Sequence, residues 1–172
     1  MTKSKTSTPM QSNIILAIDP GFDRIGLAVM KLEQGKPKLL FSECFKTEAK
    51  KVRSERLLAI GQEIKSTVAK WKPKDLAIET LFFNTNITSA IGVAEARGII
   101  IYEAMRAGMK IFEYSPQSIK IAVTGYGKAD KIQMETMVKR LVNLPVKLSR
   151  RIDDEVDAIA VGITRLATQK GI

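Results

Sequence analysis

The sequence predicts an α/β fold: a mixed five-stranded sheet, three strands antiparallel and the later ones parallel, flanked by helices. Three observations point there. Residues 13–47 hold three short apolar, β-branched runs separated by turn residues, an antiparallel meander. From residue 50 onward, stretches with apolar positions at helical spacing alternate with short apolar runs, the pattern of β-α units. And 172 residues with an apolar fraction of 45% suit one domain with a proper core, with no internal repeat or linker to divide it.

The elements follow in order. Residues 13–18 form a buried strand that closes on the turn Asp19-Pro20-Gly21. Residues 24–32 and 38–47 form the second and third strands around a hairpin turn at 34–37. Val52, Leu57, Ile60, Ile64 and Val68 recur at helical spacing, so 50–70 is a helix that Pro73 terminates. Residues 75–79 make a short buried strand ending on Glu79. A helix over 88–107 stops at Gly108, and a strand over 110–114 follows. Ser115-Pro116 starts a short helix that ends near Gly125-Tyr126-Gly127. A further helix runs from about Ala129 to Pro145, and the last spans 153–168, with acids in its first turn where the helix dipole favours them. The order is β-β-β-α-β-α-β-α-α-α. Residues 1–12, rich in Ser, Thr and Lys, are expected to form a disordered extension without the apolar core of a signal peptide, leaving 13–172 as the folded domain.

Composition removes several kinds of chemistry. The single cysteine, Cys44, excludes an internal disulfide and a cysteine-based metal site, and a reducing cytoplasm is the expected setting. Histidine is absent, which excludes imidazole general bases, Ser-His triads and His-ligated zinc. Acid–base and metal chemistry must come from Asp and Glu, whose hard oxygens favour magnesium or manganese over zinc. No apolar run approaches the roughly 20 residues that span a bilayer. The net charge of +10 suggests a polyanionic partner, nucleic acid before a membrane surface. Residues 120–151 carry eight Lys or Arg against Asp130 and Glu135, so more than half of that excess lies in one stretch.

Asp19 and Glu79 close the first and fourth strands. If those strands are parallel neighbours, both acids emerge at one sheet edge, where α/β sites form. Asp154 and Asp157, three apart on a helix, share a face that can point to the same edge. Four gathered carboxylates repel one another unless a cation neutralises them. Two magnesium ions about 4 Å apart do so, and also activate water for phosphodiester hydrolysis. Each acid has a plainer reading: Asp19 as a turn residue, Asp153 and Asp154 as N-cap and dipole partners. Glu79, before Leu81, Phe82 and Phe83, has no evident structural task.

Four stretches carry a resemblance. Ile18-Asp19-Pro20-Gly21 with Arg24, Gly26 and Val29 is similar to the first motif of the RuvC Holliday-junction resolvases, members of the ribonuclease H-like superfamily. Glu79, Phe82, Phe83, Asn86, Ser89-Ala90, Gly92 and Ala96-Arg97-Gly98 resemble the second. Tyr114-Ser115-Pro116, Ile119-Lys120, Val123-Thr124-Gly125, Gly127, Ala129 and Lys131 resemble the third. Asp154-Glu155-Val156-Asp157-Ala158-Ile159-Ala160 resembles the closing one. The resemblance runs from about residue 13 to 168.

It implies a ribonuclease H-like fold and a structure-selective endonuclease that nicks four-way DNA junctions symmetrically, leaving 5′-phosphate and 3′-hydroxyl ends. Asp19, Glu79, Asp154 and Asp157 would be catalytic and hold two Mg2+ ions, which Mn2+ can replace, with Asp153 competing with Asp154. The expected DNA contacts are Lys120, Lys128 and Lys131 on phosphates, Phe82 at the opened branch point, and Gly125 and Gly127 where backbone approaches phosphate. Arg97 reaches either DNA or an internal acid. Glu95 stands where the family often has an amide. A homodimer is implied, as is cooperation with a junction-binding, branch-migrating complex. The apolar stretch with Ile91, Val93, Ile99, Ile100 and Ile101 serves either the dimer or a fully buried helix. Other readings are a RuvC-like ribonuclease in RNA processing and a catalytically silent junction-binding module. A phosphotransferase of the actin type needs two such domains, and the length supplies one.

Overall fold

The computed structural model describes residues 13–81, 87–142 and 153–169, with backbone only at 87–89. The predicted extension at 1–12 and the pair Phe82-Phe83 lie outside the described residues. The element order is as the sequence predicts: β1 (Ile15–Asp19), β2 (Arg24–Glu33), β3 (Lys36–Lys46), α1 (Arg53–Trp71), β4 (Asp75–Glu79), α2 (Ile87–Arg106), β5 (Lys110–Tyr114), α3 (Pro116–Thr124), α4 (Lys131–Leu141) and α5 (Asp153–Thr168).

The five strands lie in the order β3-β2-β1-β4-β5. β1 pairs antiparallel with β2 and parallel with β4, and β4 pairs parallel with β5. The boundaries differ from expectation in small, explicable ways. β3 begins at Lys36 because the hairpin turns on Gln34 and Gly35 alone, both at positive φ (50° and 76°), the two-residue turn whose twist matches the strands. Pro37 is tolerated there because β3 is an edge strand. α4 starts at Lys131 rather than 129, because Asp130 is its N-cap and forms a capping box with Gln133. The expected end of that helix at Pro145 falls outside the described residues.

Period-2 alternation divides the core into two layers. Leu16, Ile18, Ile25, Leu27, Val29, Leu76 and Ile78 pack with α1 and α2 through Ile60, Ile64, Ala96, Ile100 and Ala104. Ile15, Ala17, Ala28, Met30 and Ala77 pack with α3, α4 and α5. Asp19 and Glu79 continue the second set, so both acids stand on the α5 side of the sheet.

α5 runs across the sheet, and its far end is tied down electrostatically. Asp75, buried at the start of β4, accepts from Arg165 Nη2 (2.8 Å) and Nε (3.1 Å) and from Gln169 Nε2 (3.0 Å). The same guanidinium lies 3.4 Å over the Phe112 ring. Removing one partner of a buried pair leaves an uncompensated charge, so Asp75→Ala is expected to cost about 3 kcal/mol in urea unfolding; a loss below about 1 kcal/mol would mark the pair as an ordinary surface contact.

Candidate active site

The parallel pairing of β1 and β4 runs to Ile18 opposite Ile78, so the next residues, Asp19 and Glu79, lie side by side at one edge. α5 comes down on that edge with its N-terminus, bringing Asp154 and Asp157. Asp19 and Glu79 feel the acids of α5. Burial, then Glu79, Asp157 and Asp154, push the Asp19 carboxyl from its ordinary value near 4 to about 8. Burial and Asp157 push Glu79 up to about 7, against the opposing pull of Lys120. Asp157 is raised as well, mainly by burial, with Lys131 opposing. Among the described residues no three acids converge on one ion-sized point. All four donors are hard oxygens, and the unbalanced negative charge is what a dication would neutralise, so the residues fit such an ion.

Each acid at the start of α5 has a different partner, and this separates Asp153 from Asp154. Asp153 is 62% exposed and pairs with Lys131 at 2.6 Å, and it is not among the charges that act on Asp19. Asp154 is only 18% exposed, lies 3.4 Å from Arg24 Nε and accepts from the Cys44 thiol at 3.6 Å. Ser42 Oγ donates to Glu155 Oε2 at 2.8 Å. Of the two, Asp154 is the one whose charge acts on Asp19; Arg24, which the sequence shows only as part of a motif, and Cys44 and Ser42 are partners of the α5 acids that the sequence does not reveal. They lie 110 or more residues from α5 along the chain, and only the hairpin register reveals them.

Beside the acids, α3, α4 and α5 enclose a pocket of about 250 Å³ lined by Glu79, Lys120, Asp130, Lys131 and Asp157 over Ile119, Met134 and Ala160. Two of the expected phosphate contacts, Lys120 and Lys131, thus stand beside the carboxylates, while Lys128 is exposed on the α3–α4 connection and does not line this pocket. The two glycines already have structural tasks. Gly125 is the left-handed C-cap of α3 (φ 76°), and a Cβ on Gly127 would lie 3.2 Å from Gln117 and 3.3 Å from Ile121. Arg97 is paired with an acid of the protein in this structure. Its Nη2 pairs with Glu113 and its Nε donates to the Glu79 carbonyl at 3.3 Å, bracing the ends of β4 and β5 instead of facing solvent. Glu95, where a polar role was in doubt, accepts from Arg53 Nε at 2.6 Å.

Comparison with known proteins agrees with this geometry. Residues 15–165 match the family described as "Crossover junction endodeoxyribonuclease RuvC". A protein of that name from Ruminiclostridium cellulolyticum is 41% identical over 150 residues, covering 87% of this chain and 89% of its own. One from Alkaliphilus oremlandii is 40% identical over 155 residues, covering 90% and 93%. Among solved structures, "T. thermophilus RuvC in complex with Holliday junction substrate" superposes with a TM-score of 0.84 at 28% identity, covering 92% of this chain and 96% of that one. The mixed sheet and helix order are those of this ribonuclease H-like group.

The raised acids make stability depend on pH with a definite sign. Between about pH 4 and pH 8 the folded, cation-free protein holds protons on Asp19 and Glu79 that the unfolded chain has released. Unfolding then releases protons, so these groups lower stability as pH rises through that window. In chelator, Asp19→Asn is expected to melt above wild type by a margin that widens from pH 5 to pH 8, and millimolar Mg2+ should narrow it. A margin independent of pH, by scanning calorimetry, would contradict the coupling.

Proposed function

The chain belongs to the RuvC family of crossover junction endodeoxyribonucleases, and from that premise we propose that it resolves four-way DNA (Holliday) junctions in recombination and repair by paired symmetric nicks, with Asp19, Glu79, Asp154 and Asp157 holding two Mg2+ ions for which Mn2+ can substitute. The observation that carries the reading is the meeting of strand-end acids Asp19 and Glu79 with Asp154 and Asp157 of α5, in a chain with no histidine. When bound, the ions neutralise the carboxylates, activate the attacking water and stabilise the leaving oxygen, giving 5′-phosphate and 3′-hydroxyl ends.

The protein's own groups orient the substrate. Lys120 and Lys131, beside the acids, take phosphate oxygens on either flank of the scissile bond, and exposed Lys128 extends the basic track. Lys131 is held in the free protein by Asp153, but an exposed pair is worth no more than about 1 kcal/mol, so a phosphate can replace that carboxylate. Phe82, three residues beyond Glu79, stacks on an unpaired base at the branch point, worth about 1–3 kcal/mol. The backbone at Gly125 and Gly127 passes close to the phosphate chain. Arg97, paired in the free protein with the half-exposed Glu113 and donating to the Glu79 carbonyl, supports Glu79 from behind and can exchange that carboxylate for a DNA phosphate.

A junction has two strands to cut symmetrically, which suits a two-fold homodimer. The surface opposite the acids supports it. α2 buries a single stripe, Ala96, Ile100 and Ala104, so it is not a fully buried helix. Ile91, Tyr102 and Met105 stay exposed, and Leu58 of α1 is 61% exposed beside them. Leu57, Leu58, Gly61, Ile99 and Tyr102 line one groove between the two helices. No described helix is long and apolar enough to cross a membrane. The family resemblance also supports work alongside a junction-binding, branch-migrating complex.

The test is a labelled synthetic four-way junction with Mg2+, beside an RNA–DNA hybrid. Wild type should nick the junction in symmetric pairs. Asp19→Asn should lose more than about a hundredfold in rate with binding intact, and equal nicking would sink the site assignment. Lys120→Ala should weaken binding and lower the salt slope by about one. Preference for the hybrid would move the substrate to RNA. Separately, Tyr102→Glu should convert the dimer to monomer in analytical ultracentrifugation; an unchanged dimer would exclude the α1–α2 face as its interface.

A further inference from the structure

One row of residues runs straight across the three antiparallel strands. Asp19 of β1 pairs with Gly26 of β2, and Gly26 pairs with Cys44 of β3. Directly paired residues project to the same face of a sheet, and here it is the face that α5 covers. In the middle of the row there is no side chain. A Cβ built on Gly26 would fall 1.9 Å from the carbonyl oxygen of Asp154, 2.7 Å from its carbonyl carbon and 3.1 Å from Ala158 Cβ. The first turn of α5 therefore rests directly on strand backbone.

The neighbours in the row explain what that contact does. On one side Cys44 donates its thiol hydrogen to Asp154 Oδ2 at 3.6 Å, and Arg24 Nε lies 3.4 Å from the same oxygen. On the other side stands Asp19, whose carboxyl feels the charges of Asp154 and Asp157. Asp154 Oδ1 takes no part in either contact. One row below, Ala17, Ala28 and Ser42 repeat the arrangement, with Ser42 donating to Glu155. The strand acids are fixed by the sheet and the helix acids by α5, so the spacing between the two pairs is set by how deeply α5 sits.

We propose that Gly26 is the positioning residue of the carboxylate cluster: it sets the depth of the first turn of α5, and with Cys44 and Arg24, which hold Asp154 Oδ2 on the β3 side of the row, it fixes where the Asp154 carboxylate stands relative to Asp19. This rests on the reading of Asp154 as a metal ligand. A methyl group at this position meets backbone, which has no rotamer to yield, so the helix N-terminus has to rise. Misplacement by about 1 Å is enough to cost a positioned site two orders of magnitude. Gly162 offers a control on the same helix, five residues beyond Asp157, because a Cβ there meets mainly the flexible end of Met30 (Sδ, 2.4 Å), with Ala17 Cβ at 3.2 Å, and no backbone atom among the nearest.

The experiment is titration of the full chain with Mn2+, followed by the electron paramagnetic resonance signal of the free ion well below each variant's melting temperature. Gly26→Ala should bind Mn2+ at least about tenfold more weakly, while Gly162→Ala lowers the melting temperature and leaves the affinity near that of wild type. Wild-type affinity in Gly26→Ala, or equal losses in the two glycine variants, would overturn the proposal. Should Gly26→Ala fail to fold, the double variant Arg24→Gln/Cys44→Ala frees the Asp154 carboxylate without touching the backbone; a severalfold weaker affinity supports the proposal and an unchanged one overturns it. Asp154→Asn tells the two failures apart, since undiminished binding there means that Asp154 is not a ligand and removes the premise itself.

Discussion

Carboxylates buried next to one another repel, and in this protein the nearby cations relieve that repulsion only in part and from the rim. Asp19 stands among Glu79, Asp154 and Asp157, and the lysines nearest the group, Lys120 and Lys131, lie at its rim. Something else must hold the acids together. The parallel pairing of β1 with β4 brings two of them side by side, and the packing of α5 against β1 and β2 delivers the other two. Apolar burial on the α5 side of the sheet thus supplies the free energy that keeps like charges in one place, and Gly26 admits the helix closely enough for the geometry to close.

The sheet separates two tasks. One face carries α3, α4 and α5 with the acids, the lysines and the pocket between them. The other carries α1 and α2, whose outward surface keeps Leu58, Ile91, Tyr102 and Met105 in the open. The two layers thus differ in kind, with buried acids on one side of the sheet and exposed apolar side chains on the other.

Much of this was legible in the sequence, for reasons that differ by residue. The strand ends at Asp19 and Glu79 could be read because apolar runs stop there, and α5 because acids gather in its first turn. Asp153 and Asp154 could not be told apart, since both suit a helix N-terminus; only Lys131 and Cys44, brought in by the fold, distinguish them. Arg97 had two plausible partners, and β5 places one of them, Glu113, beside it. The Asp75–Arg165 pair, joined across 90 residues, left no local signal at all. Local pattern names elements and their ends, whereas pairings across the sheet depend on a register that a single sequence does not state.

β4 is five residues long and carries an acid at each end, both on the face that α5 covers. Asp75 is answered by a permanent cation, the guanidinium of Arg165 from the last turn of α5. Glu79, at the other end, meets more acids from the first turn of the same helix. The helix is therefore moored to the sheet by a buried counterion at one end, whereas at the other its acids meet only exposed cations, Arg24 and Lys131. Salt screens exposed pairs far more than buried ones, so the ionic composition around the molecule acts on its working edge and leaves the far end of the helix alone.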